Sequence, residues 1–536
     1  MVFEFKAGLL LSISSPQRSP QRSHILDLPI EVFALVLKLL ASRDLLRCAT
    51  VCSRWKDLAL DVKWKEHLVD WYDLLRVLGS IEPCDDDESE YRWVTKHFNI
   101  EDGVASAGWR RLNELRKKIT RLQIETHLAQ DDFDYLLKIH RAAEYPRHRD
   151  PFCPKLRELE VIFDEPQPYM YDFLVGGSLQ QFKLNLPLSD TEGYAGLCQV
   201  AIQSIALGSP LVERISVLRS DSPFINYGKF SRLRILNHGG DFSVKSWIQL
   251  CAGCPLLEDV NIWWIQDELD DEDAVVTGPQ AQALPVLRVL RIGTIENAEF
   301  VYYIIQSTNM PQLRELDVDL RELRSEDAEE LLSLVRKRSP WLTTLNVNYR
   351  SLELGRFALF SQLRDLELYG MLGSWTTEDL DRIFESLPNL TRLLIASSGD
   401  DDVDRTKPAF TPAILESIAT RCRLYQLEIP LNALEIPWAS EPPSPTAKFD
   451  GLGVLALDPL HIERNAMGPF AKYLAQLCPT VNRFETLPLH AHVAWSEIES
   501  PWELTEEERT NMMVMRNLFF EAQKECEASG SAAEES

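Results

Sequence analysis

The chain has 536 residues, 45% of them hydrophobic and 26% charged, the profile of a folded soluble protein with room for several ordinary domains or one elongated array. No apolar run is long enough to span a bilayer. The formal net charge is −26 and no basic stripe is visible, which argues against a duplex-binding surface and favours basic proteins or segments as partners, although solubility alone accounts for such a charge.

In chain order, Gly8-Leu9-Leu10-Leu11-Ser12-Ile13 is too short and too poorly flanked for a signal peptide. Ser15-Pro16 and Ser19-Pro20 stand among Arg and Gln, so residues 1–23 read as a disordered arm with two weak phosphorylation signals.

The stretch from His24 to Leu40 predicts a helix with Pro29 in its first turn, where a missing N–H is not needed, and Glu31 near its positive end. Val32, Phe33, Leu35, Val36, Leu37, Leu39 and Leu40 make that helix apolar nearly all round, so it must be buried on more than one side. Ser42 is placed to cap a second helix containing Asp44, Leu45, Leu46 and Cys48. A third runs from about Val51 through Cys52, Trp55, Leu58 and Leu60. A unit of about 40 residues cannot enclose its own apolar surface, so a partner covers one face.

Leu28-Pro29-Ile30-Glu31-Val32, then Asp44-Leu45, then Val51-Cys52 with Trp55 resemble an F-box, here given the bounds 24–61. The Leu-Pro-x-Glu start and the Val-Cys-x-x-Trp helix occur together at the family's spacing. The resemblance implies docking onto the Skp-type linker protein of SCF-type cullin–RING ubiquitin ligases. The positions that match the family's contact are Leu28, Pro29, Ile30, Glu31, Val32, Leu45, Val51, Cys52 and Trp55. A generic helical hairpin capping the next domain is the alternative.

Trp64, Leu68, Trp71, Leu75 and Leu78 fall on one stripe of an amphipathic helix that Gly79 would stop. Pro83 to Glu90 reads as an acidic, solvated loop. Tyr91 to Lys118, with Trp93, Phe98, Trp109, Leu112 and Leu115, reads as helical cover. Residues 62–116 thus make a helical linker and N-terminal cap, because the open end of an array needs one.

From Ile119 a short frame recurs. Its clearest copy is Met310-Pro311-Gln312-Leu313-Arg314-Glu315-Leu316-Asp317-Val318-Asp319, whose last apolar positions alternate with polar ones as in a half-buried strand. The frame returns from Ile119-Leu122-Ile124 through Leu156-Leu159-Val161, Leu257-Val260-Ile262 and Leu390-Leu393-Ile395 to a degraded Val481-Phe484. There are about fourteen copies, roughly 21 to 37 residues apart. A prefix recurs as Cys153-Pro154, Ser209-Pro210, Cys254-Pro255, Met310-Pro311, Leu387-Pro388 and Cys478-Pro479, where Pro stops the preceding helix.

Between copies lie helical patterns such as Ala328, Leu331, Leu332 and Val335, or Leu380, Ile383, Phe384 and Leu387. Strand plus helix per unit gives a parallel sheet inside and helices outside. The pattern resembles leucine-rich-repeat proteins over residues 117–488. The family's Asn or Cys ladder is irregular here, which leaves repeat length and curvature open. The expected fold is therefore α/β: an N-terminal three-helix F-box followed by a leucine-rich-repeat solenoid with parallel strands on its concave side and helices on its convex side. Polar insertions at Gln266 to Asp273, Ser397 to Lys407 and Glu441 to Thr446 read as loops. Residues 489–536 read as a helical C-terminal cap (Ser500 to Gln523, with Met512, Met513, Met515, Leu518 and Phe519) and an acidic disordered tail from Cys526.

On each strand the residues alternating with the core set face the other way. That rule gathers Trp263, Arg291, Glu315, Asp317, Asp319, Asn346, Asp365, Glu367 and Tyr369, with Asp259, Asn261, Val289, Thr344, Asn348 and Arg392 among them. An acidic strip with Trp263 and Tyr369 as anchors suits a basic segment of a target protein, and an ordinary wet face is the bland alternative.

No Gly-rich phosphate loop, GxSxG elbow or HExxH occurs. Cys251-Ala252-Gly253-Cys254 lacks two further zinc ligands, His490-Ala491-His492 reads as a surface pair, and the ten scattered Cys read as small buried hydrophobes of an intracellular protein. No catalytic residue, metal or cofactor is expected. The sequence reading is a non-catalytic, cytoplasmic and/or nuclear adaptor: the F-box docks on the linker, and the repeats hold an unknown protein for ubiquitination and degradation. The rival is the same architecture serving as a scaffold outside a ligase.

Overall fold

The computed structural model describes residues 29–78, 81–83, 93–95, 105–125, 130–143, 151–162, 168–185, 195–220, 224–240, 242–263, 282–293, 298–320, 323–349, 354–370, 377–397, 410–433, 444–457, 460–485 and 506–534. The Ser-Pro pairs, Leu28, the acidic loop after Pro83, the Gln266–Asp273 insertion, residues 398–407 and 441–443 of the other two predicted loops and the His490/His492 pair lie outside them. The chain forms two compact units, Met1–Gln123 and Ile124–Ser536.

The first unit begins with α1 (Ile30–Lys38), α2 (Ser42–Cys48) and α3 (Ser53–Glu66). Pro29 sits just before the first helical residue, and its carbonyl accepts the Phe33 N–H at 3.0 Å. Ser42 is not a cap: the N-cap position falls on Ala41, and Ser42 is the first residue inside α2.

The amphipathic helix expected across Trp64 to Leu78 is broken. His67 turns extended (ψ 157°), and Val69–Asp70 form β1. Asp70 Oδ1 then accepts the Tyr72 N–H at 2.9 Å, starting α4 (Trp71–Leu78). Trp93 lies not in a helix but in a hairpin, β2 (Ile81–Pro83) pairing antiparallel with β3 (Trp93–Thr95). The helix Ala107–Arg116 is capped by Ser106, whose hydroxyl accepts the Trp109 N–H, and it buries Trp109, Leu112 and Leu115. What breaks the long helix is strand pairing: β1 is parallel to β4 (Arg121–Glu125), with Val69 opposite Leu122 and Asp70 opposite Gln123.

In the second unit the recurring frames become strands β5 (Glu158–Ile162), β6 (Gln181–Asn185), β7 (Arg214–Ser220), β8 (Ile235–Gly240), β9 (Asp259–Ile262), β10 (Gln282–Ala283), β11 (Val289–Ile292), β12 (Thr308–Asn309), β13 (Glu315–Asp319), β14 (Thr344–Tyr349), β15 (Asp365–Gly370), β16 (Arg392–Ser397), β17 (Gln426–Glu428), β18 (Leu431–Asn432), β19 (Val454–Ala456), β20 (Leu460–His461) and β21 (Arg483–Glu485). Only β10, β12, β18 and β20 are not copies of the frame; they form two small side pairs, β10 with β12 and β18 with β20. The rest run β5-β6-β7-β8-β9-β11-β13-β14-β15-β16-β17-β19-β21 in one sheet, and the pairings from β5 onward are parallel.

Register is fixed by the frame's own leucines. Leu290, Leu316, Leu345, Leu366, Leu393, Leu427 and Leu455 lie opposite one another across successive strands, and all are buried. A one-residue slip would turn that whole row to the other face. Helices such as Ser325–Arg338 and Thr377–Ser386 return the chain, burying Ala328, Leu331, Leu332 and Val335, and Leu380, Ile383 and Phe384. This is an α/β solenoid of leucine-rich-repeat type.

The Pro-containing prefix does two jobs. Its first residue closes the preceding helix, as Cys254 N–H does on Leu250 O at 2.9 Å and Ser339 N–H on Val335 O at 2.8 Å. The same residue's carbonyl accepts the N–H three residues on (Leu257 to Cys254, 3.2 Å; Leu313 to Met310, 3.2 Å), so Pro occupies the second position of a tight turn.

The C-terminal helix runs Glu506–Glu534, well past Cys526, where the sequence reading places a disordered tail. It buries Met515, Phe519 and Ala522. Phe519 stacks on Phe484 of β21 at 4.6 Å, and the Gln523 amide donates to the carbonyls of Cys478 and Val481, 3.1 Å each. Among the described residues no helix is long and apolar enough to cross a membrane, and no group of three or more His, Cys, Asp or Glu is placed to hold a metal ion. Cys251 and Cys254 are buried, and burial pushes both thiols up, that of Cys254 to about 12.

Candidate functional site: two interaction faces

The first face belongs to α1–α3. Phe33, Leu37, Leu45, Ala59 and Val62 form a buried core, with Leu40, Cys48, Ala49, Trp55 and Leu58 packed against it. The Phe33 and Trp55 rings meet at 4.6 Å. Phe33 and Leu37 are four residues apart, so one stripe of α1 serves this core and the remaining apolar residues point elsewhere. Ile30 is 47% exposed, Val32 44%, Leu35 62%, Val36 41%, Leu39 87%, Leu46 42% and Val51 61%. Singly exposed aliphatics are ordinary, but seven between Ile30 and Val51 are a face.

Of the contact positions expected from sequence, Pro29, Ile30, Glu31, Val32 and Val51 are exposed, and Cys52 is half-buried at the start of α3. Leu45 is fully buried and holds α2 against α3, so in this chain alone it serves the core. Trp55 is half-buried against Phe33 and braces the same core. Leu35, Val36, Leu39 and Leu46, which are not among the positions matched to the family's contact, are exposed as well. No sequence signal separates them from Phe33 and Leu37, because α1 is apolar nearly all round.

The second face is the side of the sheet opposite the helices. Arg291 on β11 stands between Asn261 on β9 and Asp317 on β13, followed by Asn346 on β14 and Glu367 on β15. The adjacent row runs Asp259, Val289, Glu315, Thr344, Asp365 and Arg392. Asp319, Asn348 and Tyr369 make a third.

The structure brings the predicted residues together but pairs several of them internally. Arg291 bridges Glu315 (2.7 Å) and Asp259 (3.5 Å), and Arg392 pairs with Glu367. Tyr369 donates its hydroxyl to Glu367 at 3.0 Å and is half-buried, so it braces the strip rather than standing out as an anchor. Asp365 accepts from the Thr344 hydroxyl at 3.2 Å. Asp317 lies among these groups. Burial, then the Glu367 carboxylate, push its carboxyl up to about 7, against the pull of Arg291. Asp259 is raised for the same first reason. Trp263, just past β9, is 37% exposed. It lies four strand positions from Tyr369, about 19 Å at the usual strand spacing, so the two rings flank the strip and do not form one pocket.

Residues 25–69 match the F-box-like family model, a span that takes in the whole of α3 and extends past the 24–61 bounds read from sequence. No curated protein matches the chain. Among solved structures the chain is similar to TLR13 in a complex with ssRNA13, at 12% identity over 68% of this chain and 45% of that one, TM-score 0.38. It is similar to an internalin (inlF) of Listeria monocytogenes at 13% identity over 63% and 82%, TM-score 0.33. It is also similar to the leucine-rich-repeat-containing protein LegL7 of Legionella pneumophila at 14% identity over 60% and 88%, TM-score 0.29. The chain spans 45% of the length of the TLR13 chain it matches. The repeat assignment stands on this chain's own strand register and turn spacing. The chain joins an F-box-like domain to leucine-rich repeats.

Proposed function

We propose that the chain is a target-recognition adaptor of an SCF-type cullin–RING ubiquitin ligase, working in the cytoplasm and/or nucleus. The exposed face of α1–α3 docks on the Skp-type linker protein. The open face of the repeat sheet holds the protein to be ubiquitinated. Ubiquitin transfer is left to other subunits, and this chain contributes proximity, raising the local concentration of target lysines near the conjugating enzyme.

One observation carries the reading. The three helices already possess a core, yet Ile30, Val32, Leu35, Val36, Leu39, Leu46 and Val51 remain in water. Burying such a side chain from full exposure is worth roughly 1.5–3 kcal/mol, and each of these gains a share in proportion to its exposure, so the face is suited to a stable apolar partner. The test is co-purification of the full chain with a Skp-type linker and a cullin. Recovery of both supports the ligase reading. Recovery of the linker alone makes the chain a scaffold, and recovery of neither removes the assignment.

For the target, the strip carries Asp259, Glu315, Asp317, Asp319, Asp365 and Glu367 against the guanidinium groups of Arg291 and Arg392, an acidic excess suited to a Lys- or Arg-containing segment. Charge reversal at Asp317 and Glu367 together tests this part. Unchanged target capture would count against the strip.

A further inference from the structure

A ladder of arginines lies at the edge of the sheet where the strands begin. Each tight turn is followed by one exposed residue, and these residues join hand to hand through the backbone. Arg234 N–H donates to Glu213 O, Glu258 to Arg234, Arg288 to Glu258, Arg314 to Arg288, Thr343 to Arg314, Arg364 to Thr343, Thr391 to Arg364 and Tyr425 to Thr391, at 2.7 to 2.8 Å. Neighbouring rungs are therefore about 4.8 Å apart. Arg234, Arg288, Arg314 and Arg364 are all exposed. Only Arg234 has a carboxylate partner here, Glu258 at 2.9 Å. Among the described residues no ion pair reaches Arg288, Arg314 or Arg364, in a chain with 82 acidic and 56 basic residues.

Arg288 and Arg314 stand on adjacent rungs, where like charges repel, and Arg364 follows one rung beyond Thr343, so the rungs from Arg288 to Arg364 form a locally basic stretch. Arg314 is also held in place: its guanidinium lies over the Trp341 ring at 5.9 Å and donates to the Trp341 carbonyl at 3.1 Å. Trp341 is 55% exposed and Tyr425 59%. A guanidinium steadied over an aromatic ring keeps its other N–H groups free for a planar anion.

We infer that this edge is a second docking surface, and that it takes an acidic protein segment lying across the strand starts, with carboxylates on Arg288, Arg314 and Arg364 and apolar side chains against Trp341 and Tyr425. The net charge of −26 disfavours a nucleic acid, whose backbone brings a charge at every unit, more strongly than a short acidic stretch with apolar residues between its charges. The inference stands apart from the ligase reading, since it uses neither α1–α3 nor the opposite face of the sheet.

The test is fluorescence anisotropy of the full chain with a labelled peptide alternating Glu and Leu. The triple variant Arg288→Glu, Arg314→Glu, Arg364→Glu is compared with Arg324→Glu, Arg336→Glu, Arg382→Glu, an equal change of charge at exposed positions on or beside the helices. Losing three exposed ion pairs makes the expected loss roughly ten-fold or more for the edge triple and about two-fold or less for the control. Affinity should also fall with added salt. A milder Arg288→Gln, Arg314→Gln, Arg364→Gln variant, with thermal melts on every protein, separates lost binding from lost folding. Equal losses in both Glu triples, no binding by the wild-type chain, or tighter edge-dependent binding of a single-stranded oligonucleotide would each overturn the proposal.

Discussion

Replacing Leu35 and Leu39 together by Ser should separate docking from folding in the F-box-like unit. Leu39 is 87% exposed and Leu35 62%, so neither is held by the chain's own core. Full burial of a leucine is worth roughly 1.5–3 kcal/mol, and scaled by these exposures the pair offers about 3 kcal/mol to a partner that covers it. That is a loss of about a hundred-fold in affinity when both are removed. The folded unit should notice far less, because Ser at an exposed helical position costs about half a kcal/mol relative to Leu. Calorimetric titration of the purified chain with a Skp-type linker protein reads the first effect, and a thermal melt followed by circular dichroism reads the second. An affinity within about three-fold of wild type would refute the placement of the docking face. So would a loss of binding that merely tracked a fall in melting temperature.

Leu45→Ala should behave in the opposite way, lowering stability by about 2–4 kcal/mol in the melt because it empties the core beside Phe33 and Val62. Gly253→Ala should destabilise the repeats by about 3 kcal/mol or more, since a Cβ there would lie 1.9 Å from the Gly228 carbonyl oxygen; an unchanged denaturant midpoint would contradict that packing. Asp317→Asn should alter the pH dependence of stability. The native carboxyl is raised from 3.8 to about 7, so the stability it contributes is present below 3.8 and is lost as pH rises through about 7. The Asn variant should therefore melt higher than wild type above pH 7, and the two curves should converge in acid. In the same window the wild-type strip should bind a Lys-rich peptide more tightly as Asp317 ionises, and the variant should lack that step.

The strands were legible because their signal is local: Leu316 and Val318 point one way and Glu315, Asp317 and Asp319 the other, and a parallel sheet needs only that alternation and a turn before it. The open-face residues followed from the same parity. What parity cannot give is pairing within the face. That Arg291 and Arg392 neutralise neighbouring carboxylates, and that Tyr369 spends its hydroxyl on Glu367, depends on which strands become neighbours. The F-box-like unit hid more. An α1 that is apolar nearly all round gives no inward direction, so the sequence does not tell Phe33 and Leu37, which serve the unit's own core, from Leu35 and Leu39, which stay exposed. The helix through Trp64 to Leu78 failed for a different reason. Its periodicity was real, but Val69 and Asp70 gain a strand partner at Leu122 and Gln123, and that distant pairing outweighs local preference.

The helix Glu506–Glu534 has a practical consequence for anyone shortening the gene. Among the described residues β21 is the last strand of its sheet, and an edge strand carries unpaired amides and carbonyls that can pair with another chain. Phe519 on Phe484 and the Gln523 amide on the Cys478 and Val481 carbonyls fasten the helix beside that border. A stop codon ahead of Glu506 would strip this cover and yield a product prone to self-association, whereas a tag appended beyond Glu534 leaves those fastenings untouched.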